Sequence, residues 1–386
     1  MRATLMLLAA CGSTEQAPLI ESVGASFAEC NAAELKFLAA RHNVQLAFEP
    51  CGFAGFSSSV WAPDGRRMYF QLPASAHILE ADRPTRDIAT LAIPQPIGTP
   101  AWLGADRLVI PIGPAAAGEP VRLAIWDQPT PDPDGALPAG QLTVRPLPAG
   151  WTSVPRVEPG DAEGEVIVVV GGPDGSVTPH RLDLASGATQ PAFPAAAGPA
   201  TTWTWSRALR LAVIGQGETV RLVAVDTGEL LGTWPDAHAG DLDATGRWLI
   251  LERTGAPISP YFQRTWDELS PAVREREEAR AKAAAAKLPA WSQQELRPPS
   301  LDVVDLKEGR RWSFTGFLGE GAGWYDAAPG WLSFRLWGFE GKQIKANVAL
   351  VDLSARLTAL AANEPPFAVE AWAPSQVRSD VRTGSE

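Results

Sequence analysis

Residues 56–73 read FSSSVWAPDGRRMYFQLP, with Trp61-Ala62-Pro63-Asp64-Gly65-Arg66-Arg67-Met68-Tyr69-Phe70 at their centre. An apolar strand runs into Asp64-Gly65, the chain turns, and a second apolar strand leaves. Asp-Gly suits that turn because its central positions need or tolerate positive φ, which costs Gly nothing and Asp little. Two more short apolar stretches follow, AHILEAD (76–82) and TRDIATLAI (85–93), so the unit is four strands long.

The same plan recurs more loosely. Strand, polar kink and strand are legible in PAWLGADRLVIPIG, VEPGDAEGEVIVVVG, TWTWSRALRLAVIG, DLDATGRWLILE and YDAAPGWLSFRLWG. Each is followed by an apolar strand ending at an acidic turn, and the series is Asp82, Asp127, Asp183, Asp226, Asp305 and Asp352. The intervals between these aspartates are 45, 56, 43, 79 and 47 residues. Four strands repeating at roughly 40 to 50 residues is the signature of an all-β fold, the β-propeller. Six units are visible. After the sixth, Trp372-Ala373-Pro374 echoes Trp61-Ala62-Pro63, so the sequence predicts seven blades, with the last blade's outer strands drawn from ELKFLAARHNVQLAFEPC (34–51). Six blades, with residues 31–41 as a short helix capping the ring, is the alternative.

The stretch from Trp61 to Phe70 resembles the W-S-P-D-G-x-x-[IL]-x-[FY] motif of TolB-type, WD40-like β-propellers of the periplasm. Only the first repeat carries the motif nearly whole, while the looser repeats extend the likeness over residues 52–374. The resemblance implies a propeller that binds partners on its ring surface. There is no room for the separate N-terminal domain of TolB, so its partnerships do not carry over.

The N-terminus, MRATLMLLAACGST, has the layout of a secretory signal peptide: one basic residue, Arg2, then an apolar run from Leu5 to Ala10 that is too short to span a bilayer. Leu8-Ala9-Ala10-Cys11 resembles the lipobox of bacterial lipoproteins, which implies cleavage before Cys11 and a lipid on its sulfur. Such a tether puts a soluble body at the cell envelope, on the outer membrane or facing the periplasm. The expected layout is a signal peptide over 1–10, a tether over 11–24, the propeller over 25–376 and a flexible tail over 377–386. Of three cysteines, assigning Cys11 to lipid leaves Cys30 and Cys51, which either form one disulfide in an oxidising compartment or stay as two buried thiols.

Composition narrows the function. The chain has 35 Gly, 35 Pro and 15 Trp in 386 residues, which favours short strands and turns over long helices. A net charge of -11 excludes the basic footprint that nucleic acid needs. One insertion, residues 255–300, interrupts the fifth repeat between its second and third strands. Thr265 and Glu268 form a capping box, Ser270-Pro271 starts a helix expected over about 271–287, and Glu278 and Lys282 pair at i, i+4. The flanking aromatics Tyr261, Phe262, Trp266 and Trp291 are either partner-binding anchors or pins that hold the insertion to its own propeller.

No catalytic motif emerges. His42, His77, His180 and His238 have no metal spacing, and Gly215-x-Gly217 and Gly319-x-Gly321-x-Gly323 lack the helix of a nucleotide site. Two loops crowd carboxylates, Asp127 with Asp132 and Asp134, and Asp236, His238, Asp241 and Asp243; solvated turn residues are the simpler account, and no metal or cofactor is assigned. Trp61, Trp102, Trp205 and Trp372 fall at matching strand ends, which predicts packing between blades, while Trp324, Trp331 and Trp337 alternate with polar residues and either reach a face or, as is the default for most of the tryptophans, pack in the core or between blades. The sequence thus points to an envelope-anchored propeller that binds or scaffolds a protein partner. The alternative is an envelope hydrolase or lyase with a carboxylate site in the propeller channel.

Overall fold

The computed structural model describes residues 58–71, 76–80, 87–91, 93, 96–116, 118–128, 140–196, 198–253, 271, 300–314, 323–340, 343–353 and 355, with the short strands Ile20–Ser22, Ala28–Glu29, Gln45–Leu46, Gly52–Ala54 and Val369–Ala371. Its strands form six antiparallel sheets. Blade 1 contains Ser58–Trp61, Arg67–Gln71, Ala76–Glu80 and Asp87–Leu91, and blade 2 contains Ala101–Trp102, Arg107–Ile112, Arg122–Asp127 and Gln141–Pro146. Blade 3 is Arg156–Pro159, Glu165–Gly171, Val177–Asp183 and Thr189–Pro191; blade 4 is Thr202–Ser206, Leu211–Gln216, Thr219–Ala224 and Leu230–Pro235. Blade 5 comprises Ala239–Leu242, Trp248–Arg253, Ser300–Asp305 and Arg310–Phe314.

Blade 6 corrects the expected count of seven. The chain supplies it with Gly323–Trp324, Trp331–Glu340 and Gln343–Asp352 only, and the N-terminal strands Gly52–Ala54 and Ala28–Glu29 complete it. Ala54 pairs with Lys345 and Phe53 with Ala346, while Gln45–Leu46 also pairs with this third strand. The C-terminal strand Val369–Ala371 begins no new blade. It lies on the outer edge of blade 5, with Ala371 opposite Arg310. The ring is therefore closed by the N-terminus alone, inside the sixth unit, because that unit has three strands of its own where a blade needs four. The expected helix over 271–287 lies outside the described residues, apart from its first position, as do residues 31–41 of the six-blade alternative. The base of the insertion is described: Arg253 pairs with Ser300 as the outermost rung between the second and third strands of blade 5.

Alternation explains why the middle strands read as unbroken apolar runs. On blade 2, Leu108, Ile110, Ala124 and Trp126 pack towards blade 1, and Val109, Leu123 and Ile125 pack towards blade 3. On blade 3, Val166 and Val168 face back and Ile167 and Val169 face forward. Both faces of each blade are buried, so every position must be apolar.

Each seam of the ring has its own clasp. Trp102 Nε1 donates to the Val60 carbonyl at 3.0 Å, Trp205 to the Pro159 carbonyl at 3.1 Å, and Trp324 to the Asp241 carbonyl at 3.0 Å, each reaching back one blade. Trp61 does the same across the closing seam, donating to Ser333 Oγ at 3.2 Å. Between blades 2 and 3 the backbone serves: Thr99 N–H donates to the Pro155 carbonyl and Val157 N–H to that of Thr99. Between blades 4 and 5, Thr202 and Thr204 donate to the carbonyls of His238 and Gly240. The expectation of inter-blade packing holds for Trp61, Trp102 and Trp205, and of the two readings open for Trp324 the structure selects packing at a seam over reaching a face. Gly65 shows why the first motif needs its glycine. Its φ is +68°, and a Cβ there would fall 2.2 Å from the Tyr325 hydroxyl of blade 6.

Candidate functional site

The six innermost strands surround a central channel of about 830 Å³. Its wall is asymmetric. Blades 1, 2 and 4 present Ser59, Thr99 and Thr202, while blades 3, 5 and 6 present Arg156 and Glu158, Asp241 and Glu252, and Asp326 from the first turn of blade 6. Four carboxylates thus share the channel with two guanidinium groups, those of Arg156 and Arg207.

Arg156 and Glu158 are two residues apart on one strand, so they point to the same side and form an ion pair. Burial works against the Arg156 charge, but Glu158 and Asp241 more than offset it and hold the guanidinium firmly protonated. The Glu158 carboxyl is pushed up to about 6 by burial, with Asp241 adding repulsion, even though Arg156 pulls it down. Asp326 is likewise pushed up to about 6, by burial first and then by Asp241 and Asp243. Burial also raises Asp241, whose Oδ1 accepts the Leu242 N–H at 3.0 Å. Glu252 lies 3.5 Å from His238 Nε2, and the His238 backbone N–H donates to the Glu252 carbonyl at 2.9 Å. Chemically, this is a partly desolvated anionic wall with a proton reservoir near pH 6, suited to a cation or to proton transfer.

The structure separates the acidic loops that the sequence groups together. Asp241 faces the channel, whereas Asp243 braces its own hairpin, accepting the Trp248 N–H at 2.9 Å and the Thr245 hydroxyl at 2.6 Å. Asp236 is exposed at a positive φ of 62°, and Asp127 pairs with Arg107 across blade 2. Among the described residues, no group of His, Cys, Asp and Glu is arranged to hold a metal ion. The acidic turns are structural: Asp183 accepts the Ser186 N–H and hydroxyl, Asp305 binds Arg247 and the Lys307 N–H, and Asp352 accepts the Ala355 N–H. His77 is buried and His180 packs on Trp151. Cys11, Cys30, Cys51, Asp82, Asp132, Asp134, Tyr261, Phe262, Trp266, Trp291 and Trp372 lie outside the described residues.

Arg156, Glu158 and Asp326 escape the sequence reading. The signal was present, since Arg156-Val157-Glu158 puts two charges where the matching strands of blades 1, 2 and 4 carry none.

No protein-family model matches the chain, and no curated protein matches it. Among solved structures it is similar to TolB from Acinetobacter baumannii, at a TM-score of 0.40 and 10% identity over 78% of this chain and 56% of that one. It is similar also to a chain in a crystal structure of the mitotic checkpoint complex, at a TM-score of 0.39 and 12% identity over 78% of this chain and 75% of that one. The chain spans little more than half the length of the TolB structure. From its own strand pairing, the protein is a six-bladed β-propeller with an anionic channel.

Proposed function

We propose that this protein is a binding or scaffolding propeller of the bacterial envelope, anchored by lipid on Cys11, that takes a cationic segment of a partner protein into its channel. The observation that supports it is the concentration of Glu158, Asp241, Glu252 and Asp326 on the walls of three blades, four carboxylates against the two arginines Arg156 and Arg207. An ammonium or guanidinium entering the channel draws protons off Glu158 and Asp326, so binding tightens as pH rises through about 6. The anchor is proposed from Leu8-Ala9-Ala10-Cys11. The disulfide between Cys30 and Cys51 is proposed from the cysteine count, three in all, of which assigning Cys11 to lipid leaves these two. Tyr261, Phe262, Trp266 and Trp291 remain proposed as a second set of anchors.

The test is capture from envelope extract on the immobilised mature protein. Asp241→Asn with Glu158→Gln, checked by melting to be folded, is expected to lose the partner held by wild type at pH 7.5. Undiminished capture would move the binding surface away from the channel. The near-neutral carboxyls also favour a second reading, a hydrolase or lyase on an envelope glycan or peptide, with one carboxyl as acid and another as base. Turnover with a bell-shaped pH profile near 6, abolished by Asp326→Asn, is the result that would select it.

A further inference from the structure

The outer edges of the blades are not alike. Three consecutive blades, 5, 6 and 1, carry a fifth strand laid antiparallel on the outer edge by a distant part of the chain: Val369–Ala371, Ala28–Glu29 and Ile20–Ser22. Each of these segments sets a glutamate beside small or branched residues, as VEA, AE and IES. Blades 2, 3 and 4 end at their fourth strand. The edge of blade 3 is three residues long and finishes at Pro191, and that of blade 4 is broken by a bulge between Leu230 and Gly232 and finishes at Pro235. Both are blunted in the ways that sheet edges usually are. Blade 2 also finishes at a proline, Pro146, but its edge is longer than that of blade 3 and lacks the bulge of blade 4: Gln141–Pro146 pairs with Arg122–Asp127 in unbroken register over six residues.

The parity of that ladder fixes which backbone groups face outwards. Leu147 N–H donates to the Val121 carbonyl, so 145, 143 and 141 point inwards with it. The N–H and C=O groups of Leu142 and Val144 then face away from the sheet. Among the described residues no strand pairs with them. Two residues beyond Val144, at the next outward position, Pro146 has no N–H to offer. Two arginines, Arg122 and Arg145, stand at this end. Arg122 stands opposite Pro146 on the face shared with Leu142 and Val144, and its Nη2 is buried with no hydrogen-bond partner. Arg145, on the opposite face, donates to the Ala185 carbonyl.

We propose that the outer edge of blade 2 is a docking site for an extended acidic and apolar segment of a partner protein, which adds there as an antiparallel fifth strand. The backbone of Leu142 and Val144 supplies the hydrogen bonds, and Arg122 selects for a carboxylate. The chain itself shows that the outer edges of this ring accept such segments, at three blades out of six. This edge is on the outside of the ring, so the proposal stands or falls separately from the channel.

The experiment is amide hydrogen exchange on the full chain with a synthetic peptide of residues 17–24, APLIESVG, and with its Glu21→Lys counterpart. The expected result is at least severalfold slower exchange at Leu142 and Val144 with the first peptide, and weaker binding of the second at low salt. Val144→Pro removes an outward N–H without touching the internal ladder and is expected to abolish binding. Where that variant fails to melt cooperatively, Arg122→Gln replaces it and is expected to lose the preference for the glutamate peptide. Unchanged exchange at Leu142 and Val144, protection confined to the edges of blades 1, 5 or 6, or a preference that survives Arg122→Gln would each overturn the proposal. Self-association without peptide that disappears in Val144→Pro would assign the edge to a second copy of this chain and overturn it as well.

Discussion

Asp326 holds its proton more tightly in the folded protein than in the unfolded chain, because burial and the neighbouring Asp241 and Asp243 oppose its charge. A carboxyl raised in this way contributes stability at low pH that is lost as pH climbs from about 4 through about 6. Asp326→Asn is therefore expected to be more stable than wild type at pH 8, by no more than about 1 kcal/mol because solvent screens this exposed turn, and equal to it below pH 4; denaturant melts at the two pH values check this. The Trp clasps allow an opposite test. Trp102→Phe keeps most of a ring that is 3% exposed but deletes the donor to the Val60 carbonyl, and a cost of about 0.5–1.5 kcal/mol is expected in urea unfolding for losing that hydrogen bond. These two residues differ in how legible they were. A tryptophan repeated at the same strand end in several units announces a repeated structural job. A charge on an inner strand reads like one on a solvated strand, because the sequence does not say whether the water beside it belongs to a channel or to bulk.

Hairpins are the scale at which the sequence spoke most clearly, since Asp64-Gly65 and Asp305 with Gly309 act through neighbours within a few residues. Asp64 Oδ1 accepts the Arg66 N–H at 3.0 Å, and the Gly309 N–H donates to the Asp305 carbonyl at 2.8 Å. The large insertion obeys the same local logic at its base. Arg253 and Ser300 are partners on adjacent strands, so exchanging residues 254–299 for a short Gly and Ser turn leaves an ordinary hairpin. The shortened protein is expected to keep its β-rich circular dichroism and cooperative melting. Collapse would show that aromatics such as Trp266 and Trp291 are structural. Loss of partner capture with an intact fold would make them the anchors.

At the scale of the whole ring the count of blades was not legible, because it depends on a pairing between Phe53 and Ala346 that no local pattern encodes. An echo such as Trp372-Ala373-Pro374 tempts a seventh blade, yet the strand just before it had a vacant edge on blade 5 to fill. The two chain ends should accordingly differ in importance. Removing residues 364–386 costs blade 5 only its fifth strand and is expected to shift the melting temperature slightly. Removing residues 1–55 leaves blade 6 with three strands and is expected to abolish a single cooperative transition, which calorimetry checks. The same pairing sets an order in time. As the chain leaves the ribosome, Gly52–Ala54 is made long before its partner strand Gln343–Asp352. Until that partner emerges, the nascent protein must carry an unmatched strand. Its folding rate is then governed by how quickly these two distant segments find each other.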